Sequence, residues 1–159
     1  NISDEMLLQL KGNGGIVNIT LLSQLLKSPE VDNSIQQKLS ELEEKYKDLI
    51  GVDPTKYMDE YNSERERVVT ESRQNASVVD LVDHIEHVVQ VIGIDYVGIS
   101  SDFDGGGGID GCRDVTEIEN ITRELVLRGY SRSEIEKIWG GNFMRVFRDV
   151  AKVAERFNE

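Results

Sequence analysis

Apolar positions recur along this chain in two rhythms that separate its helices from its strands. Near the start, Met6, Leu7 and Leu10 fall at helical spacing between a cap at Ser3 or Asp4 and a stop at Gly14, which predicts one short helix. Residues 15–22, GIVNITLL, are rich in β-branched side chains and follow glycine, so they predict a buried strand. Ser77 opens the strongest helical pattern: Leu81, Ile85, Val88 and Ile92 share one face, and Gly93 ends it. A second strand is expected from Ile94, in IDYVGISSDF. Beyond a glycine loop, VTEIENITRELVLRG predicts a helix stopped by Gly129, and Ser131 with Glu134 has capping-box spacing that opens a shorter helix to Trp139. Gly140 and Gly141 are expected to break the run, with Asn142 capping a last amphipathic helix that turns Phe143, Val146, Phe147, Val150, Val153 and Phe157 inward.

Between Pro29 and Gln74 the pattern turns charged. Ile35, Leu39, Leu42, Tyr46 and Leu49 recur at helical intervals behind an Asn33-Ser34 cap, and Asp53-Pro54 reads as the cap and first-turn proline of a second helix. This stretch, at about 29–76, is expected to be a solvent-facing helical insertion whose charges form a wetted surface.

The resulting order is helix, strand, helical insertion, helix, strand and three helices, an alternation that argues for parallel βα units. Two parallel strands cannot cover both faces of a sheet or satisfy its edges. Part of a larger sheet is therefore expected to be missing, and a first residue of Asn1 rather than Met reads as a chain either processed or cut from something longer.

Composition narrows the functions. The chain has 159 residues, the size of one domain, and 38% are hydrophobic, enough for a core. Thirty acids against eighteen bases leave a net charge of −12, with no basic cluster, which argues against nucleic acid and anionic membrane surfaces as partners. The single cysteine, Cys112, excludes an internal disulfide framework and leaves the compartment open. No apolar run approaches the roughly 18 residues of a membrane span.

The chemistry concentrates in YVGISSDFDGGGGIDGC, where an apolar strand runs into Asp102 and Asp104 and then four glycines. Residues at the carboxyl end of a parallel strand face the ligand site of an α/β protein, so Asp102 can ligate a metal or move a proton. The same two acids can also simply start a turn before glycine. Three loop motifs fail on context. A calcium nonapeptide needs stacked repeats. An EF-hand register from Asp102 places Arg113 where a bidentate Glu belongs. Gly106, Gly108 and Gly111 match a bare dinucleotide fingerprint with no helix starting at the last glycine. His84 and His87 stand at i, i+3, a spacing that can chelate zinc. Their angular positions, on the flank and near the back of the helix, read instead as hydrogen-bonding helix residues.

Taken together, DHIEHVVQVIGIDYVGISSDFDG and ITRELVLRGYSRSEIEKIWGGNFMRVF resemble the C-terminal part of the membrane dipeptidase (renal dipeptidase) family of zinc metallopeptidases. The likeness covers nearly the whole chain. It is most specific at Asp83-His84 with His87, at 101–105, and at Gly141-Asn142 with Arg145-Val146-Phe147. The segment from about Pro29 to Ser77 is longer than in mammalian members. The resemblance implies an α/β fold that is the C-terminal portion of a (β/α)8 TIM barrel, helix-rich with few parallel strands. It also implies two zinc ions in the complete enzyme, and dipeptides as substrate. The family's His-x-Asp pair, bridging glutamate and two later histidines lie outside this chain, so no metal ligand is expected within it. The arginine that holds the substrate carboxylate would fall just before Asn1.

Asp102 matches the acid that shuttles a proton to the departing amine, and Gly105 matches a loop position whose backbone lies against substrate. Asp104 and His84 are expected one layer further out. A substrate-facing tyrosine of mammalian members falls near Ser23, so side-chain preference does not carry over. The expected partners are the upstream half of the same protein, in cis or as a separate chain, and a second copy, since members are often dimers. Two other readings stand beside this one: a noncatalytic calcium- or ligand-binding domain using the Asp-Gly loop, and a surface-interaction fragment in which the acidic helices matter most.

Overall fold

The computed structural model describes residues 2–27, 33–72 and 75–157. The chain divides into two compact units, Asn1–Lys27 with Asn75–Glu159, and Ser28–Gln74.

The first unit is built on two parallel strands. Helix α1 (Asp4–Gly12) is capped by the Ser3 hydroxyl, which accepts the Met6 amide, and it buries Leu7. Gly14, at φ 75°, turns the chain into β1 (Val17–Thr20). A short helix α2 (Ser23–Leu26) follows. The chain returns through α5 (Val78–Ile92) to β2 (Val97–Ser100), which pairs with β1 in register Val17 to Val97 and Thr20 to Ser100. Then come α6 (Glu119–Leu127), α7 (Arg132–Glu136), a π-turn at Lys137–Gly141 and α8 (Asn142–Arg156).

Local chemistry explains α5. Its Ser77 hydroxyl accepts the Asp80 amide while the Asp80 carboxylate accepts the Ser77 amide, which satisfies two donors that a helix start otherwise orphans. Val78, Leu81, Val82, Ile85, Val88 and Ile92 are then buried along one face. Each contributes roughly 1.5–3 kcal/mol by leaving water. They meet Leu7, Ile121, Leu125 and Ile138, and the apolar face of the sheet, Val17, Ile19, Val97 and Ile99, packs on the same cluster. The opposite sheet face is small and polar. The Thr20 and Ser100 hydroxyls bond at 2.8 Å, and a Cβ on Gly98 would overlap the Asn18 side chain. Arg128 fastens α6 to α5 by donating to Glu124, Glu86 and Asp83 at 2.9, 2.6 and 2.7 Å.

Three expectations change in this unit. The second strand begins at Val97, because 94–96 form a 3₁₀ turn. Asn142 does not cap α8 either: it is 3% exposed and continues the helical backbone, and its amide group donates to the carbonyls of Ile94 and Val97 at 2.7 and 2.9 Å. Nor does the α8 stripe face inward. Phe143, Phe147, Val150, Val153 and Phe157 are exposed, Phe147 by 60% and Phe157 by 86%, because no described surface lies against them; Val146 is half-buried.

The second unit is a helical hairpin, α3 (Asn33–Val52) and α4 (Pro54–Ser72). The side chains of the expected Asn33-Ser34 cap lie outside the described residues, whereas Asp53 accepts the Lys56 amide at the start of α4 as its sequence predicts. Leu42 and Tyr46 are buried, Tyr46 meets Tyr61 edge-on at 5.8 Å between ring centroids, and Leu49 stays exposed. Lys45 bonds Glu64 across the hairpin at 2.9 Å, and the pairing holds the Glu64 carboxyl below its ordinary range.

Candidate functional site

Strand β2 delivers its polar end to a depression of about 500 Å³ lined by Ser101, Asp102, Phe103, Asp104, Asp114 and Val115. Asp102 follows the strand with φ 55° and ψ 30° and is, among the described residues, the only non-glycine in the left-handed region. Aspartate tolerates that region better than most residues, yet the conformation costs free energy that surrounding bonds must offset. Those bonds come from the glycine loop. The Asp102 carbonyl accepts the amides of Gly105 at 3.0 Å and Gly107 at 2.7 Å. Both acids, Asp102 and Asp104, are exposed to solvent.

The loop is anchored on three sides. Gly108 donates to the Leu21 carbonyl at 2.6 Å, at the carboxyl end of β1. Asp110 donates to Ala76 and accepts the Val78 amide, which ties the loop to the start of α5. Ile109 and Cys112 exchange two backbone bonds, and both are buried. Burial, with Glu117 and Asp114 nearby, pushes the Cys112 thiol upward.

The sequence-predicted residues separate here. Asp102 and Asp104 line the depression together. Gly105 stands beside Asp102, and a Cβ there would overlap the Asp102 carboxylate, so the missing side chain first makes room for Asp102 itself. His84 lies elsewhere, with Nε2 bonded to the Leu26 carbonyl at 2.8 Å, and His87 Nε2 lies 2.7 Å from the Asp4 carboxylate. The segment Asp83, His84 and His87 therefore bonds α5 to α6, α2 and α1. Asn142 and Arg145 act at the other end of the sheet. The Arg145 guanidinium donates to Gly14, Gly15 and Asp95 carbonyls and lies 5.6 Å from the Tyr96 ring centroid, ahead of both strands.

Asp114 and Val115 were not expected in the lining. Asp114 Oδ1 accepts both the hydroxyl and the amide of Thr116, an Asx turn that lowers the Asp114 pKa, the hydroxyl contributing more, but that local turn does not itself signal a place in the lining. Among the described residues no group of three or more His, Cys, Asp or Glu could hold a metal ion. With both histidines engaged in bonds between elements, the residues of this chain do not by themselves fit a zinc centre.

A parallel βα arrangement that presents a carboxylate beside a glycine loop at a strand's carboxyl end defines a class, the α/β proteins whose site lies at that end of the sheet. Comparison with known proteins is more specific. All of residues 1–159 match the model of the membrane dipeptidases, peptidase family M19, and the chain belongs to that family. Dipeptidase ataJ of Aspergillus terreus is 33% identical over 157 residues, which are 98% of this chain and 28% of that protein. Human Dipeptidase 3 is 38% identical over 81 residues, half of this chain and 17% of its own length. The crystal structure of the probable dipeptidase PvdM from Pseudomonas aeruginosa matches with a TM-score of 0.73 at 36% identity, covering 91% of this chain and 39% of that one. The chain thus spans well under half the length of each of these relatives.

Proposed function

We propose that this chain is the C-terminal segment of a zinc-dependent dipeptidase, in which Asp102 moves the proton that peptide-bond cleavage requires. The observation that carries the reading is Asp102 itself, held in a left-handed conformation at the end of β2 and opening onto the depression, in a member of the membrane dipeptidase family. Expelling an amine from a peptide requires protonation of its nitrogen. An exposed aspartate at this position takes a proton from the attacking water on a carboxylate oxygen and returns it to the departing nitrogen. Gly105 keeps the loop backbone close enough for substrate to lie against it, and Asp104 supports the same wall. His84 serves this site indirectly, by fixing α5 to α2.

The zinc ions, which supply Lewis-acid polarisation when bound, take their ligands from the upstream part of the polypeptide. In this reading the two strands are the last of a (β/α)8 barrel. Their small, polar face points into the barrel, and residues at about 29–76 form a helical insertion. The upstream part, in cis or as a separate chain, covers the apolar stripe of α8. A calcium-binding role has less support, because calcium takes six to eight oxygen ligands and no group of three or more His, Cys, Asp or Glu among the described residues could hold a metal ion.

The test is Asp102→Asn in the complete polypeptide. Turnover of dipeptides is expected to fall by about 10²–10⁴-fold, the range for loss of a general acid–base group, with zinc content unchanged. Wild-type turnover would remove Asp102 from the reaction.

A further inference from the structure

We infer that Gly107 is a positioning residue for Asp102, an inference that rests on the proton-transfer role proposed above. Its amide makes the shorter of the two bonds to the Asp102 carbonyl, 2.7 Å against 3.0 Å from Gly105. A Cβ on Gly107 would run into the Ser101 carbonyl oxygen and stand 2.6 Å from both the carbonyl carbon and oxygen of Asp102. These are backbone atoms, which cannot swing aside as a flexible side chain can. The Gly107 backbone does not itself need φ in the left-handed region, unlike Gly106 at 93° and Gly108 at 130°. Glycine is required at 107 because of what lies against it. The four glycines therefore divide the work. Gly105 leaves space for the Asp102 carboxylate, Gly106 and Gly108 supply the turn, and Gly107 closes the turn on the Asp102 peptide.

The consequence is mechanical. An alanine at 107 must push the 101–102 peptide away, break the 2.7 Å bond, or both, and each result releases Asp102 from the left-handed conformation that aims its carboxylate. A displacement of about 1 Å at a reacting group lowers rate by about 100-fold while leaving substrate contacts elsewhere intact.

The experiment is a double-mutant cycle in the complete enzyme with Gly107→Ala, Asp102→Asn and the double variant, measuring kcat and KM for a dipeptide. Gly107→Ala is expected to lower kcat about 100-fold with little change in KM, and to have no further effect in the Asp102→Asn background, since it acts through that residue. Wild-type kcat in Gly107→Ala, or an equal loss with and without the Asp102 carboxylate, would overturn the positioning role while leaving the proton-transfer role intact. Wild-type kcat in Asp102→Asn would overturn both. Should Gly107→Ala fail to fold, amide hydrogen exchange on the unaltered enzyme decides: slowed exchange at the Gly107 amide supports the bond to Asp102, and exchange at the rate of an unbonded amide overturns it.

Discussion

Asp102 carries two demands at once, a strained backbone and an exposed carboxyl group at the end of a strand. If the strain is intrinsic to φ 55°, its size depends on the side chain at 102 and can be read without any substrate. Asp102→Gly is expected to leave stability within about 0.5 kcal/mol of the native protein, because relief of strain offsets the added chain entropy. Asp102→Val should cost about 1–2 kcal/mol, since a β-branched residue is poorly accommodated in the left-handed region. Urea denaturation of the two variants gives the difference, and equal midpoints would mean that the loop relaxes freely around position 102. Asp102 and Asp104 were legible as candidates because a strand pattern ran straight into them. Asp114 was not, because it reaches the depression only after the loop has folded back over ten residues.

At the level of elements, helix starts were the most readable features, and α5 shows why. Its cap is an exchange between residues three apart, so the information is local. The Asp80 carboxyl is lowered first by the Ser77 hydroxyl and then by the Ser77 amide. A folded-state pKa below the unfolded value means that the bond stabilises fully above the ordinary carboxylate value near 3.9, and that this stability is lost as pH falls through the lower, folded value. Ser77→Ala is therefore expected to cost about 1 kcal/mol at pH 7 and clearly less at pH 3, measured by denaturant unfolding at each pH. An equal cost at both would show that the Ser77 hydroxyl caps α5 without help from Asp80. Strand limits and the α7–α8 junction were harder to read. The carbonyls of Ile94, Asp95 and Val97 are taken by Asn142 and Arg145, residues some 45 to 50 positions away, and no window around Ile94 contains them.

For the whole molecule, the feature that calls for explanation is the exposed stripe of α8, with Phe143, Phe147, Val150, Val153 and Phe157 at helical spacing on one face. A contiguous apolar face of this kind marks a surface that another element covers. The 159-residue chain alone is expected to bind a hydrophobic dye and to lack peptidase activity. Addition of the upstream part of the polypeptide should suppress the dye signal and restore turnover together. Dye binding that persists in an active, reconstituted enzyme would assign the stripe to some other partner. The sequence by itself determined the longer helices, the caps at Asp53, Ser77 and Ser131, the presence of two strands and membership of the dipeptidase family, because periodicity, capping and a strand-end motif are written in neighbouring residues. Only the tertiary structure decided where β2 begins, which way the α8 stripe faces, and why glycine stands at 107. Each of those depends on atoms brought together by the fold: distant side chains on strand carbonyls, the surface available to a helix, and the contact of one peptide with another across a closed turn.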